Sequence, residues 1–178
     1  MDYFEVLILI LFHVEKILRT KIQKIVYFAS QLGITDDTFS PHYYGPYSKE
    51  VAETLESMVS LGYVREEVDI FPEGIGYMYS LTKDGKLLAV DFSKKISPNI
   101  FHKLEEIVNA CKDVPPLLLS VAAKVHFILK KNKVPMTIDQ IREYAKGLNW
   151  QISTDQINTT CILLEQLGFI ARKTRTSK

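Results

Sequence analysis

Two neighbouring segments near the start of the chain constrain the fold more than any other feature. In the first, RTKIQKIVYFASQLG (residues 19–33), apolar residues recur three and four positions apart, which predicts an amphipathic helix. Thr20 and Gln23 have the spacing of a capping box, so we expect this helix to begin at Lys21 and to end at Gly33. The predicted core-facing stripe is Ile22, Ile25, Val26, Ala29 and Leu32, and the opposite side carries Lys21, Gln23, Lys24 and Ser30.

The second segment, YGPYSKEVAETLESMVSLGYV (44–64), predicts a turn followed by another helix. The aromatic stretch Phe39–Tyr44 before it is typical of a short strand, and the Gly-Pro pair of the segment then turns the chain. Ser48 is placed to cap the helix, and Gly62 is placed to end it. Its expected buried stripe is Val51, Leu55, Met58 and Val59.

A β-hairpin and an apolar first helix complete the predicted N-terminal unit. YVREEV (63–68) and GYMYSLT (76–82) flank a turn at residues 72–74 and form the hairpin. VLILILF (6–12) is apolar nearly all round as a helix and therefore needs cover on two sides. We expect that cover from a second domain or from another copy of the chain. Helix, helix, helix and hairpin is the order of elements in a winged helix.

The second half of the chain predicts a similar unit from its own signals. Two capping-box spacings, Thr137 with Gln140 and Ser153 with Gln156, each begin a helix. A largely apolar helix precedes them at residues 117–129. Helices are also expected from about Lys83 and from Pro98 after Ser97. The predicted stripes are Ile138, Ile141, Tyr144, Ala145 and Leu148, then Ile157, Cys161, Leu164 and Leu167.

The sequence therefore predicts a mainly α protein with small β-hairpins, an α+β fold built from two winged helix-turn-helix-like units in tandem. We expect the N-terminal domain at residues 1–92 and the C-terminal, winged-helix-like domain at residues 97–178. A chain of 178 residues, 47% of them hydrophobic, is long enough to bury a sizeable core.

TKIQKIVYFA, a strand and YGPYS, in this order, resemble the signature of the YwgA-like and Panacea winged-helix families. The likeness covers roughly residues 6–88. It implies a winged-helix fold and a regulator or an antitoxin-like, partner-binding module. It does not imply catalysis.

The charge distribution favours the C-terminal unit as a DNA-binding surface. Residues 1–100 carry a net charge of −4, and residues 101–178 a net charge of +5. Because phosphate contacts supply most non-specific affinity, the basic half is the better candidate for double-stranded DNA. Asparagine and arginine also pair with base edges. The predicted nucleic-acid-binding residues are Asn158, Thr159, Arg172, Lys173 and Arg175. The leading prediction is a DNA-associated regulator that contacts nucleic acid mainly through this unit.

The alternative is a protein-binding adaptor or antitoxin-like module that uses the acidic N-terminal helix and the YGPYS turn. Glutamates on the predicted helix repel phosphate and suit a protein-facing surface. Rings around a proline turn usually pack onto their own core, and we expect this for the tyrosines here. The residues of the alternative site are Tyr43, Tyr44, Tyr47, Lys49, Glu50 and Glu53.

Neither an enzyme nor a metal or cofactor site is expected. The four histidines are scattered, and none has metal-ligand spacing with another residue. Cys111 and Cys161 form no disulfide framework and fit a reducing interior as small hydrophobes, which predicts a cytoplasmic protein. The apolar run of residues 6–12 is too short to span a bilayer, so no membrane is expected as a partner.

Overall fold

The computed structural model describes residues 1–71 and 74–171. It shows the predicted mainly α fold with a small antiparallel sheet. In chain order the elements are α1 Tyr3–Phe12, β1 Ile17–Leu18, α2 Arg19–Gln31, α3 Lys49–Ser60, β2 Val64–Phe71, β3 Gly74–Leu81, α4 Lys83–Lys95, α5 Pro98–Cys111, α6 Pro116–Asn132, α7 Ile138–Gly147 and α8 Thr154–Gln166.

The sheet contains the predicted hairpin and one strand that the sequence did not reveal. β2 and β3 pair antiparallel from Val64 opposite Leu81 to Phe71 opposite Gly74. The two-residue β1 pairs with the other edge of β3 and gives the order β1-β3-β2. The strand predicted at Phe39–Tyr44 is wrong, because this stretch makes a single bridge between Ser40 and Tyr47 and otherwise turns.

Helix α2 lies in the middle of the molecule, and this overturns two predictions about it. Its predicted polar side is buried too, since Gln23, Lys24 and Ser30 are all enclosed by neighbouring elements. The predicted capping box is absent: α2 begins at Arg19 with no side-chain cap. The Gln23 amide instead bonds both backbone groups of Ser48, at 3.0 Å each. Leu32, predicted to face the core, is exposed.

Other helix boundaries agree with their local signals. The Ser48 hydroxyl accepts from the Val51 N–H at the start of α3. Both capping boxes of the second half are formed, at the starts of α7 and α8. Gly33 and Gly62 follow their helices with φ of +71° and +79°. Ser97 precedes α5, but its side chain makes no capping bond.

Helix α1 is enclosed within a single copy of the chain. Residues 6–11 are all buried, and the helix packs on α2, α3, α4, α5 and β3. Since α5 belongs to the second half of the chain, its contact with α1 joins the two halves. Burial of this apolar helix therefore requires no second copy.

The two halves share one hydrophobic cluster, in which α2 packs on α5 and α6. Residues 97–171 contain four helices and no strand. The division into units at 1–92 and 97–178, and the tandem winged-helix arrangement, stay predictions.

Candidate functional site

The tyrosine turn (residues 43–47) is held rigidly between α2 and the C-terminal half. The Trp150 indole donates to the His42 carbonyl at 2.7 Å, and the Lys24 amine donates to the Pro46 carbonyl at 2.7 Å. Gly45 has a φ of +97°, and a Cβ there would lie 3.2 Å from the Ser120 carbonyl oxygen. A side chain at this position would therefore be strained by the positive φ and would crowd the backbone of α6.

The turn directs two aromatic rings to solvent. Tyr43 is 71% exposed and Tyr44 57% exposed, with their rings edge to face at 4.9 Å. Tyr47 is half-buried, and its ring centroid lies 5.1 Å from that of His42. The expectation that these rings pack onto the core is therefore wrong for Tyr43 and Tyr44.

The hairpin contributes a second uncovered surface. Successive residues of one strand alternate between faces, so Ile75, Tyr77 and Tyr79 of β3 share a face. Tyr79 is buried in the core, whereas Ile75 is 68% exposed. In register opposite them on β2 are exposed Val68, beside Tyr77, and exposed Ile70, beside Ile75. Beyond exposed Glu66, which lies opposite Tyr79, the core-facing side of the hairpin thus continues as an apolar strip of Val68, Ile70, Ile75 and Tyr77.

A cavity of about 200 Å³ lies between this strip and the tyrosine turn. We call it the tyrosine cavity. The residues that line it include Arg19, Lys24, His42, Tyr44, Ile75 and Tyr77. The cavity therefore combines aromatic and aliphatic walls with two cationic side chains from the first turns of α2.

Among the described residues, Lys24 and Arg19 are the two cationic side chains of the cavity. The Lys24 side chain is 2% exposed. Burial, together with the nearby charge of Lys124, lowers its pKa to about 7. The Arg19 guanidinium lies 5.8 Å from the Tyr77 ring centroid, a cation–π contact. It also lies 3.6 Å from the carboxylate of Glu56, whose side chain is largely exposed.

The acidic residues of the alternative site lie on the outer side of α3. Glu50 and Glu53 are exposed, and Lys49 pairs with Glu53 at 2.8 Å. These side chains lie outside the cavity lining and give α3 an acidic outer surface near the turn.

The predicted nucleic-acid residues are only partly described. Asn158 and Thr159 are exposed on α8, and the Thr159 hydroxyl donates to the Asp155 carbonyl. Arg172, Lys173 and Arg175 lie outside the described residues. Two lysines of α6 contact other parts of the chain: Lys130 pairs with Asp37, and Lys124 lies over the Trp150 ring.

The remaining titratable groups show no second constellation in the described part of the chain. His126 is buried and bonds the Tyr27 hydroxyl at 2.8 Å. Cys111 is buried, as predicted, and burial raises its pKa to about 12. Within residues 1–71 and 74–171, no three His, Cys, Asp or Glu side chains gather as metal ligands do. None of the helices in these ranges is long and apolar enough to cross a bilayer.

Comparison with known proteins gives a partial match to a curated sequence. The chain is 35% identical over 68 residues to the uncharacterized protein YwgA of Bacillus subtilis (strain 168). Part of this chain is YwgA-like. The match spans 38% of this chain and 41% of YwgA. No protein-family model matches the chain.

Sequence reasoning found the tyrosines of this site but missed its cations and its second wall. Arg19 was not singled out, and Lys24 was assigned to the solvent side of α2. Ile75 and Tyr77 were expected only as hairpin residues. The available signal was Gly45, because a glycine permits a positive φ and the close approach of another backbone.

Proposed function

We propose that this protein is a protein-binding module whose docking surface comprises the exposed tyrosines and the apolar strip of the hairpin. The observation that supports it best is the continuation of the core-facing side of the hairpin into solvent. Ile75 and Ile70, 68% and 88% exposed, extend the row that begins with buried Tyr79 and Val64.

The composition of this surface suits a protein partner. Contiguous exposed apolar residues in a soluble domain commonly mark interaction sites. Tyrosine is enriched at the centre of protein interfaces, because it buries a large ring while its hydroxyl keeps a polar partner. Tyr43 and Tyr44 are also presented on a backbone fixed by Lys24 and Trp150, so little conformational entropy is lost on binding.

The same surface is poorly suited to DNA. Exposed Glu50, Glu53 and Glu56 on neighbouring α3 repel phosphate. DNA binding through the C-terminal unit rests mainly on Arg172, Lys173 and Arg175 and stays a separate prediction. Fluorescence anisotropy with a labelled duplex at several salt concentrations tests it, since the slope counts neutralised phosphates.

Selection from a random peptide library displayed on phage, with the full chain as bait, tests the docking surface. Selected peptides are then synthesised and titrated against a Tyr44→Ser, Ile75→Ser double variant. We expect about a tenfold or greater loss of affinity, since two apolar contacts are removed.

Leu87→Ser serves as the matched control. Leu87 is an aliphatic residue on α4 that is 60% exposed, similar to Ile75, and lies outside the cavity lining. Peptides that bind the double variant as tightly as the wild type would contradict the proposed surface.

A further inference from the structure

The tyrosine cavity contains one buried cation, Lys24, that has no counter-ion among the described lining residues, whereas Arg19 pairs with exposed Glu56 outside the lining. Among its lining residues in the described part of the chain there is no Asp or Glu. The Lys24 amine has three donors, and its hydrogen bond in the structure goes to the uncharged Pro46 carbonyl. Burial of an ammonium group is unfavourable unless an anion or several acceptors surround it.

A second lysine increases this local excess of positive charge. A Cβ on Gly45 would lie 3.2 Å from Lys124 Cγ and 3.5 Å from Lys24 Cε, so both stems pass close to this glycine. Lys124 is half-buried, and its amine lies 5.4 Å from the Trp150 ring centroid. An aromatic ring stabilises a cation but does not neutralise it.

The start of α2 also contributes positive charge to the cavity. Leu18, the N-cap residue, provides no side-chain acceptor, and Gln23 is engaged with Ser48. The first-turn residues Arg19 and Thr20 line the cavity together with Lys24. The partial positive charge of a helix N-terminus therefore adds to the two cationic side chains.

We infer that the tyrosine cavity binds a carboxylate of the docked partner, carried by an acidic residue next to an apolar or aromatic one. This inference rests on the proposed function. The carboxylate gives buried Lys24 a counter-ion and shares Arg19 with exposed Glu56 of α3, while the adjacent apolar side chain covers Ile75 and Tyr44. A polyanion is disfavoured by exposed Glu50, Glu53 and Glu56 of α3.

Three short peptides test the inference by NMR titration of the ¹⁵N-labelled full chain. The probe is acetyl-Leu-Glu-Phe-amide, and its uncharged counterpart is acetyl-Leu-Gln-Phe-amide. Acetyl-Leu-Ala-Phe with a free C-terminus offers the alternative source of a carboxylate. We expect one of the carboxylate peptides to bind about tenfold more tightly than the Gln peptide, as for a charge-assisted hydrogen bond.

The Arg19→Gln variant is expected to abolish most of this preference. Arg142→Gln is the matched control, because Arg142 is a partly exposed arginine on α7 outside this cavity. The carboxylate peptide that binds more tightly shows whether the bound carboxylate comes from a side chain or from a chain terminus. Either result supports the inference.

Two results would overturn the inference. One is that all three peptides bind with equal affinity and that Tyr44→Ser weakens this binding. The docking surface would then be supported, but the carboxylate site would not. The other is tighter binding of inorganic phosphate, titrated alone, than of either carboxylate peptide. If no peptide shifts the signals of Tyr44, Ile75 or Tyr77, both the inference and the proposed surface fail.

Discussion

At the scale of single residues, Lys24 shows a conflict between stability and binding. A buried ammonium group beside Lys124 destabilises the fold, and the structure gives it a carbonyl rather than a carboxylate. Residues that are unfavourable for the folded state are commonly retained where they serve a site. Lys24 is the residue of this chain that best fits that description.

Replacing Lys24 by methionine is expected to stabilise the protein at pH 7. The folded-state pKa of about 7 lies below the ordinary 10.5, so the unfolded state binds more protons between these values. Protonation of Lys24 in the unfolded state therefore lowers the free energy of unfolding as pH falls from 10.5 to about 7. Above pH 10.5 this loss is absent. We expect Lys24→Met to gain about 1–3 kcal/mol at pH 7 and little at pH 10.5.

Urea unfolding of Lys24→Met at the two pH values measures this gain. Exposed Lys146, paired with Glu143 on α7, provides the control variant Lys146→Met. An equal change for both variants, or a loss of stability at pH 7, would contradict this account of Lys24.

His126 determines a second pH dependence. Burial, with a smaller effect of Lys130, lowers its pKa to about 4 from the ordinary 6.5. The unfolded state therefore binds more protons between these values, and stability is lost as pH falls from 6.5 to 4. The loss amounts to about 3 kcal/mol.

The His126→Gln variant is expected to lose less stability in this window, as measured by urea unfolding at pH 4, 5, 6 and 7. Parallel pH profiles would show that His126 is not the titrating group.

At the scale of elements, the link between α2 and α3 depends on one amide. Gln23 satisfies both backbone groups of buried Ser48 at the entrance to α3. Gln23→Leu leaves the Ser48 N–H unpaired and removes one of the two hydrogen bonds to the Ser48 carbonyl, which otherwise accepts from the Ala52 N–H. The expected cost is about 1–3 kcal/mol. Gln156→Leu removes a surface capping bond of α8 and is expected to cost about 1 kcal/mol or less. Thermal unfolding followed by circular dichroism compares the two variants. Equal losses of stability would contradict a special role of Gln23 in joining α2 to α3.

Elements defined by short-range signals could be predicted from the sequence. The hairpin, the Ser48 cap and the capping boxes of α7 and α8 each depend on residues within four positions of one another. The same spacing at Thr20 and Gln23 gave a wrong prediction, because a tertiary contact with Ser48 engages the amide. Local spacing does not reveal this competition.

Elements that depend on distant partners could not be predicted. β1 exists because Ile17 and Leu18 pair with Tyr79 and Met78, some sixty residues away. The polar side of α2 is buried because the tyrosine turn and the entrance to α3 cover Gln23 and Lys24, and because α5 and α6 also pack on α2. Exposure of Tyr43 and Tyr44 likewise follows from the way the turn is held by Trp150.

At the scale of the whole molecule, the buried and the exposed apolar surfaces have different explanations. The apolar α1 is enclosed by elements from both halves of the chain, so its hydrophobicity serves folding. The hairpin strip and the tyrosine turn remain exposed, although they lie next to the core. Their exposure is the feature of the described structure that folding alone does not account for.

The most direct measurement is the NMR footprint of a selected peptide on the ¹⁵N-labelled full chain. We predict that the largest chemical-shift changes lie at Tyr43, Tyr44, Ile75 and Tyr77, on the two walls of the tyrosine cavity. Changes centred on Asn158 and Thr159 of α8, with the tyrosine turn unaffected, would contradict the account and place the binding surface in the C-terminal half.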